Sequence, residues 1–362
     1  MARRLTGIQG FSQPNPISAR NLLRNGDGVV AQRGTSMSAP DVDTYICDGW
    51  VIVGESNGVI DYAQTTSSLP SYGARMAMQF TVNTANQKFG IFQPIESVDS
   101  SPYLDTGGRI HLSLSFQYQM AVSDGFADIH AAIVSWVGTL DDFDVALVST
   151  WEDSSTPPTL GTGYAYESQA GVPTTLGAPS STWKTAKIEG VPVDTSSVNN
   201  IGVFIWHNDT DSVAATDVLR VTNIMLNEGK KCAPFEKRSI AEELHLCERT
   251  FQKTYAMNIA PGTATSGAGA IEHPSARVTN FSTSEATLDW RFRTMMRTTP
   301  TVTVYAPTTG TAGAMTGSTT GDLTAAQLSP GAGGTTMIVS ADPADSERIT
   351  AHATAAAELY AP

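Results

Sequence analysis

Residues 110–120 alternate without a break. Ile110, Leu112, Leu114, Phe116, Tyr118 and Met120 are interleaved with His111, Ser113, Ser115, Gln117 and Gln119. A period of two sets one side of an extended strand in a core and the other side against polar surroundings. Met76, Met78, Phe80 and Val82 repeat the pattern, as do the stretches Ile129 to Val137, Ile201 to Trp206 and Leu219 to Met225. Residues 154–163 and 171–181 are rich in Pro, Gly and Ser and read as loops. Many alternating strands without intervening helices predict an antiparallel β-sandwich, here spanning 26–236.

One helix interrupts this pattern. Ser239 followed by Glu242 is a capping-box pair, which satisfies free backbone N–H groups at a helix start. Ile240, Leu244, Cys247, Phe251 and Tyr255 then recur at steps of four, three, four and four. That spacing predicts one apolar stripe over about four turns, within a connecting helix at 237–258. Glu243, Glu248, Arg249 and Lys253 fall on the opposite face. The stripe fits packing on its own domain and fits equally a seam between copies around a symmetry axis.

Beyond Pro261 alternation returns: Leu288, Trp290 and Phe292 against Asp289, Arg291 and Arg293. Residues 299–341 hold twelve Thr, seven Gly and one charged residue, Asp322. So little charge with so much Thr suits strands and tight turns buried against neighbours. Residues 259–362 therefore read as a second, smaller β domain.

The net charge of −13 is unevenly placed. Residues 1–33 carry +4, 34–227 carry −15 and 228–362 carry −2. An acidic body argues against nucleic acid as a partner. No apolar run is long enough for a membrane span, and the first residues lack the apolar stretch of a secretory signal. The basic segment 1–25, with Arg3, Arg4 and Arg20, reads as an arm that docks on an acidic neighbour or as a solvated tail.

Catalytic signatures are missing, and the six His show no ligand spacing. No cofactor or metal site is expected. Cys47, Cys232 and Cys247 fit neither a zinc pattern nor a disulfide framework. Asp141, Asp142 and Asp144 cluster beside Gly138 as a loop rather than as facing carboxylates. Asn208, Asp209 and Asp211 follow a strand end, where turn chemistry competes with calcium binding. Aromatics give the better lead: Trp151, Tyr164, Tyr166 and Trp206 lie in or beside loops, and such rings suit the apolar face of a sugar. With Asp209 and Asp211 they form the candidate glycan site; the alternative is that the rings cap the sandwich core.

Several segments, in order, resemble a large group of bacteriophage virion fibre proteins. They are NLLRNGDGVVAQRGTS at 21–36, YICDGW at 45–50, QPIES at 93–97, LSLSF at 112–116 and TWKTAKIEGVPV at 182–193. The most specific is NIMLNEGKKCAPFEKRSIAEELHLCERTFQK at 223–253. It is similar to the family hallmark, a last strand entering a Pro-Phe-Glu-x-Arg turn and then a helix with Leu-x-Leu-Cys-x-Arg. PTVTVYAPTTGTAG at 300–313 and AHATAAAELYA at 351–361 complete the set. The resemblance implies a jelly-roll domain like carbohydrate-binding modules, a connecting helix and a terminal β domain. It also implies a homotrimer on a virion, commonly a tail fibre or receptor-binding protein, assembled in the host cytoplasm and released by lysis. Under it Trp50 and Trp183 are structural, and no fixed sugar-binding residues carry over. The expected function is thus a non-enzymatic virion appendage, anchored by its arm and touching host surface polysaccharide. The alternatives are a head or neck decoration without sugar binding, and a polysaccharide-degrading enzyme.

Overall fold

The computed structural model describes residues 20–362 except 72, 105–109, 121–124, 127, 154–155, 168–173, 177–179, 209–212, 266, 274–285, 319–320 and 340–347. The fold is mainly β, a jelly-roll sandwich followed by a smaller antiparallel β domain. The front sheet runs, in spatial order, Ser36–Met37, Ile60–Thr65, Ala77–Val82, Val218–Glu228, His111–Met120 and Lys184–Pro192. The back sheet runs Tyr164–Glu167, His130–Trp136, Asn200–His207, Phe89–Ile95, Trp50–Gly54 and Thr44–Cys47, with Thr174–Thr175 also on His130–Trp136. All of these pairings are antiparallel.

The alternation in the sequence sets the layers. Leu112, Leu114, Phe116 and Tyr118 enter the core between the sheets, together with Trp50, Phe80, Phe89 and Ile91. Asn200–His207 is buried along its whole length, because both faces of the back sheet are covered. Ile201, Val203 and Ile205 meet the front sheet. Phe204 and Trp206 point the other way, into a second core with Phe92, Trp136, Phe143, Tyr164 and Tyr360. A strand buried on both faces is apolar almost throughout.

The C-terminal sheet runs Phe251–Lys253, Ile349–Ala356, Ala314–Gly317, Gly321–Gly331, Gly334–Val339 and Ala286–Arg291. Ile271–His273 and Thr301–Tyr305 also pair with Ile349–Ala356. Leu288, Trp290, Met315, Met337, Val339 and Ile349 form its core.

The helix differs from the expectation. It spans Ile240–Cys247, with both halves of the Ser239–Glu242 capping box made. It does not continue for four turns: Phe251 lies on a strand, and Tyr255 lies beyond that strand. Thr250, Phe251 and Thr254 are modest helix formers, and pairing with Thr354, Ala355 and Ala356 offers their backbone a ladder instead. The stripe is therefore not one face. Ile240 is exposed and Leu244 half-buried, while Cys247, Phe251 and Tyr255 are buried by the chain itself. Glu243, Glu248 and Lys253, expected outside, are buried as well. No continuous apolar seam is left along these five positions for a symmetry axis.

Candidate functional site

The four candidate aromatics come together, but as packing. Trp206 stacks on Phe204 with ring centroids 4.6 Å apart and on His130 at 5.3 Å. Tyr166 lies 5.9 Å from Trp206, and Trp151 lies 6.2 Å from Phe204. Tyr164 sits 4.5 Å from Trp136. Tyr164 donates its hydroxyl to Val145 O at 2.8 Å, and Tyr166 donates to Pro158 O at 2.8 Å. Burial holds both phenols well above their usual pKa. Trp206 is 1% exposed. The rings cap the outer face of the back sheet, with Tyr164 and Trp206 buried and Trp151 and Tyr166 half-buried.

In the acidic loops Asp141 and Asn208 are engaged by the chain itself, while Asp142 and Asp144 are exposed. Asp141 accepts from Ser97 N and Ser97 Oγ, each at 2.6 Å, and from Asn200 Nδ2 at 2.6 Å. Asn208 donates to Thr156 O at 2.7 Å and Glu152 O at 3.3 Å. Asp209 and Asp211 lie outside the described residues, as do Arg3 and Arg4. Arg20 is exposed and pairs with Asp99 at 2.6 Å. Among the described residues no group of His, Cys, Asp or Glu is arranged to hold a metal, and no helix is long and apolar enough to cross a membrane.

A different feature stands on the outer face of the front sheet. Here the segment after Val218–Glu228 turns back over the strands and leaves a groove of about 420 Å³. That volume suits a few saccharide rings, within the usual 300–1,000 Å³ range of ligand sites. Gln117 occupies its floor, with Thr185 opposite on one neighbouring strand and Thr222 on the other. Phe235 and Pro234 form a wall, and Lys187 and Lys237 stand at the edges.

Asn223 is built into this groove by a break in the strand. Register slips between Thr222 and Met225, and Asn223 adopts φ of 53°. A β-bulge of this kind re-aims a side chain, and Asn tolerates the left-handed conformation better than most residues. Asn223 donates from Nδ2 to Gln117 Oε1 at 2.7 Å, which leaves the Nε2 end of Gln117 as a donor. Its own Oδ1 has no hydrogen-bond partner among the described residues, and the residue is 6% exposed. An unfilled buried acceptor costs about 1–3 kcal/mol. The groove is therefore lined by amides, hydroxyls, ammonium groups, the ring of Phe235 and the buried Phe116. Cys232 also lines it, with a thiol pushed up to about 11 by burial, so it rests there protonated. Sequence reasoning named the polar face of Gln117 but missed Asn223 and Phe235. The signal was the Asn that interrupts the apolar run Val221 to Leu226.

The ordered motifs turn out to be joints. In the Pro-Phe-Glu-x-Arg turn, Glu236 accepts from Asn21 N at 2.6 Å. Arg238 donates to Leu23 O at 3.0 Å and to Asn21 O, and it pairs with Glu236 at 3.0 Å and Glu243 at 3.4 Å. In the opening motif, Asn21 Oδ1 accepts from Leu23 N and Leu226 N. Trp50 Nε1 donates to Asn25 O at 3.0 Å and is fully buried, as a structural Trp should be. Trp183 is half-buried and donates to Ser68 O at 2.6 Å.

No protein-family model matches the chain, and no curated relative matches it in sequence. Solved structures similar to it are mainly carbohydrate-binding modules. The CBM22-1 xylan-binding domain of Paenibacillus barcinonensis Xyn10C is 11% identical, with a TM-score of 0.30, covering 56% of this chain and 99% of that one. The family 11 carbohydrate-binding module of Clostridium thermocellum, in complex with a β-1,3-1,4-mixed-linked tetrasaccharide, is 15% identical, with a TM-score of 0.28, covering 54% and 99%. The enzymatically active domain of tailspike protein 4 of bacteriophage CBA120 is 9% identical, with a TM-score of 0.33, covering 58% of this chain and 21% of that one.

Proposed function

We propose that the chain is a non-enzymatic, glycan-contacting component of a bacteriophage virion appendage, assembled as a homotrimer and anchored through its basic segment 1–25. The observation that carries the glycan reading is the front-sheet groove, which Phe235 lines together with the amides of Gln117 and Asn223. An aromatic ring covers the apolar face of a sugar while amides and hydroxyls take its hydroxyl groups. The residues lining the groove include no carboxylate, whereas glycoside hydrolysis ordinarily needs two. The virion and trimer parts rest on the ordered motifs from Asn21 to Ala361 and their resemblance to phage fibre proteins. Repetition of a weak site on a trimer multiplies its effect through effective concentration.

A panel of soluble polysaccharides, titrated against the chain and against Phe235→Ala, tests the glycan reading. Binding that the substitution weakens supports it; no binding to any polysaccharide ends it. Light scattering with and without residues 1–20 tests the assembly. A trimer in both forms fits a self-assembling appendage whose arm serves attachment, and a monomer in both undercuts the trimer. The burial of Tyr164 and Trp206, with Trp151 and Tyr166 packed half-buried against them, favours a second reading, a head or neck decoration that fastens neighbours and binds no sugar. The polysaccharide panel separates the two.

A further inference from the structure

Resting on the glycan reading of the front-sheet groove, we infer that its ligand is an anionic saccharide, whose carboxylate or sulfate sits between Lys187 and Lys237. Two cations and no acid line the groove, in a region where residues 34–227 carry a net −15. Other lysines spend their charge on the chain's own oxygens. Lys88 pairs with Asp153 at 2.7 Å and Lys231 with Glu189 at 2.7 Å, and Lys253 donates to Met257 O and Ile259 O. Lys187 and Lys237 make no ion pair among the described residues. Glu189, two residues along from Lys187, is already engaged by Lys231 Nζ and by Cys232 N at 3.0 Å.

The rest of the groove is neutral and hydrogen-bonding, which suits sugar hydroxyls. Gln117 and Asn223 supply amides, Thr185 a hydroxyl and Phe235 a ring. A free anion such as phosphate has no use for that ring or for an acceptor. A neutral saccharide leaves both ammonium groups without a counter-charge. An anionic sugar uses all of these groups at once. Glu189 stands beside the groove, but its charge is met by Lys231 and by Cys232 N; repulsion by the rest of the acidic surface is screened beyond a Debye length of about 8–10 Å.

The test is calorimetric titration of the full chain with an oligogalacturonate, with its methyl ester, and with a sulfated oligosaccharide beside its unsulfated parent. We expect the charged form of a pair to bind more tightly than the uncharged form, and the difference to shrink as salt rises. Lys187→Gln and Lys237→Gln should each weaken the charged ligand about fivefold, the scale of an exposed ion pair, and leave the uncharged partner unchanged. The stronger of the carboxylate and sulfate arms identifies the group. Equal affinity for charged and uncharged forms, still lost in Phe235→Ala, overturns the anionic inference while the glycan reading stands. Binding to none of the four overturns the anionic inference, and the polysaccharide panel then decides the glycan reading separately. Both lysines are exposed, so an unchanged melting temperature checks that each variant is folded.

Discussion

Tyr360 donates its hydroxyl to Asp43 Oδ1 at 2.6 Å, joining residues 317 apart in sequence. The Tyr360 hydroxyl oxygen also accepts from Leu147 N at 3.0 Å, and the Tyr360 backbone N–H donates to the Tyr45 hydroxyl at 3.1 Å. Tyr360→Phe keeps the ring in the second core and strips both hydroxyl contacts. We expect a loss of about 1–3 kcal/mol, read as a lower denaturant midpoint at unchanged slope. An unchanged midpoint would show that Asp43 and Leu147 N find water instead.

Trp206 offers a sharper separation of packing from binding. Trp206→Ala should cost about 3–5 kcal/mol through the cavity it leaves. At a temperature where that variant is still folded, its affinity for any ligand of the front-sheet groove should match the parent protein. A selective loss of glycan affinity in Trp206→Ala, or in Trp151→Ala, would return the site to the loop aromatics.

Arg238 ties the hallmark turn to the start of the sandwich. Removing it leaves Glu243, 3% exposed, without its guanidinium partner. Breaking a buried pair from one side costs about 3–5 kcal/mol, so Arg238→Ala should unfold at markedly lower denaturant. Arg238→Lys should recover only part of this, because one ammonium cannot reproduce the fork that reaches Leu23 O, Glu236 and Glu243 together.

His352 predicts a pH dependence. It is fully buried, stacked 3.8 Å from Tyr255, with a Thr254 hydroxyl at Nδ1 and a Thr265 hydroxyl at Nε2. Burial, aided by nearby Lys253, lowers its pKa to about 4. The unfolded chain therefore binds the extra proton first as pH falls from about 6.5 toward 4, and stability falls with it across that window. In His352→Gln this contribution is gone. The difference in melting temperature between parent and variant should shrink as pH drops from 6.5 to 4; a constant difference rules the idea out.

The architecture was legible because its causes are local. The alternation at Leu112, Leu114, Phe116 and Tyr118 states which side faces the core, and the Ser239–Glu242 pair states where a helix begins. The end of that helix was not legible. Phe251 and Tyr255 keep helical spacing with Cys247, yet Phe251 is claimed by a partner strand about a hundred residues away, and periodicity carries no information about such partners. The aromatic cluster was foreseen as a set, with sugar binding and core capping both open, and Trp206 and Tyr164 lie in the core. Trp206 looks the same in sequence whether a sugar or Tyr166 covers it. Asn223 and Phe235 were hidden for the opposite reason: their meaning depends on a slip in register and on a segment folding back over the sheet.

The C-terminal domain enters through Phe251–Lys253 and leaves along Ile349–Ala356, two neighbouring strands of one sheet. Its exit is then fixed to the sandwich, with Phe143 N donating to Leu359 O at 2.8 Å and Ala361 N donating to Phe143 O at 3.2 Å. Arg33 adds a rivet, stacked 3.8 Å over Phe251 and paired with Glu358. A domain hung by one linker swivels like a pendant. This one is held at both ends like a bracket, so a sideways load on either domain is passed to the other as torque across the seam instead of being lost in a hinge.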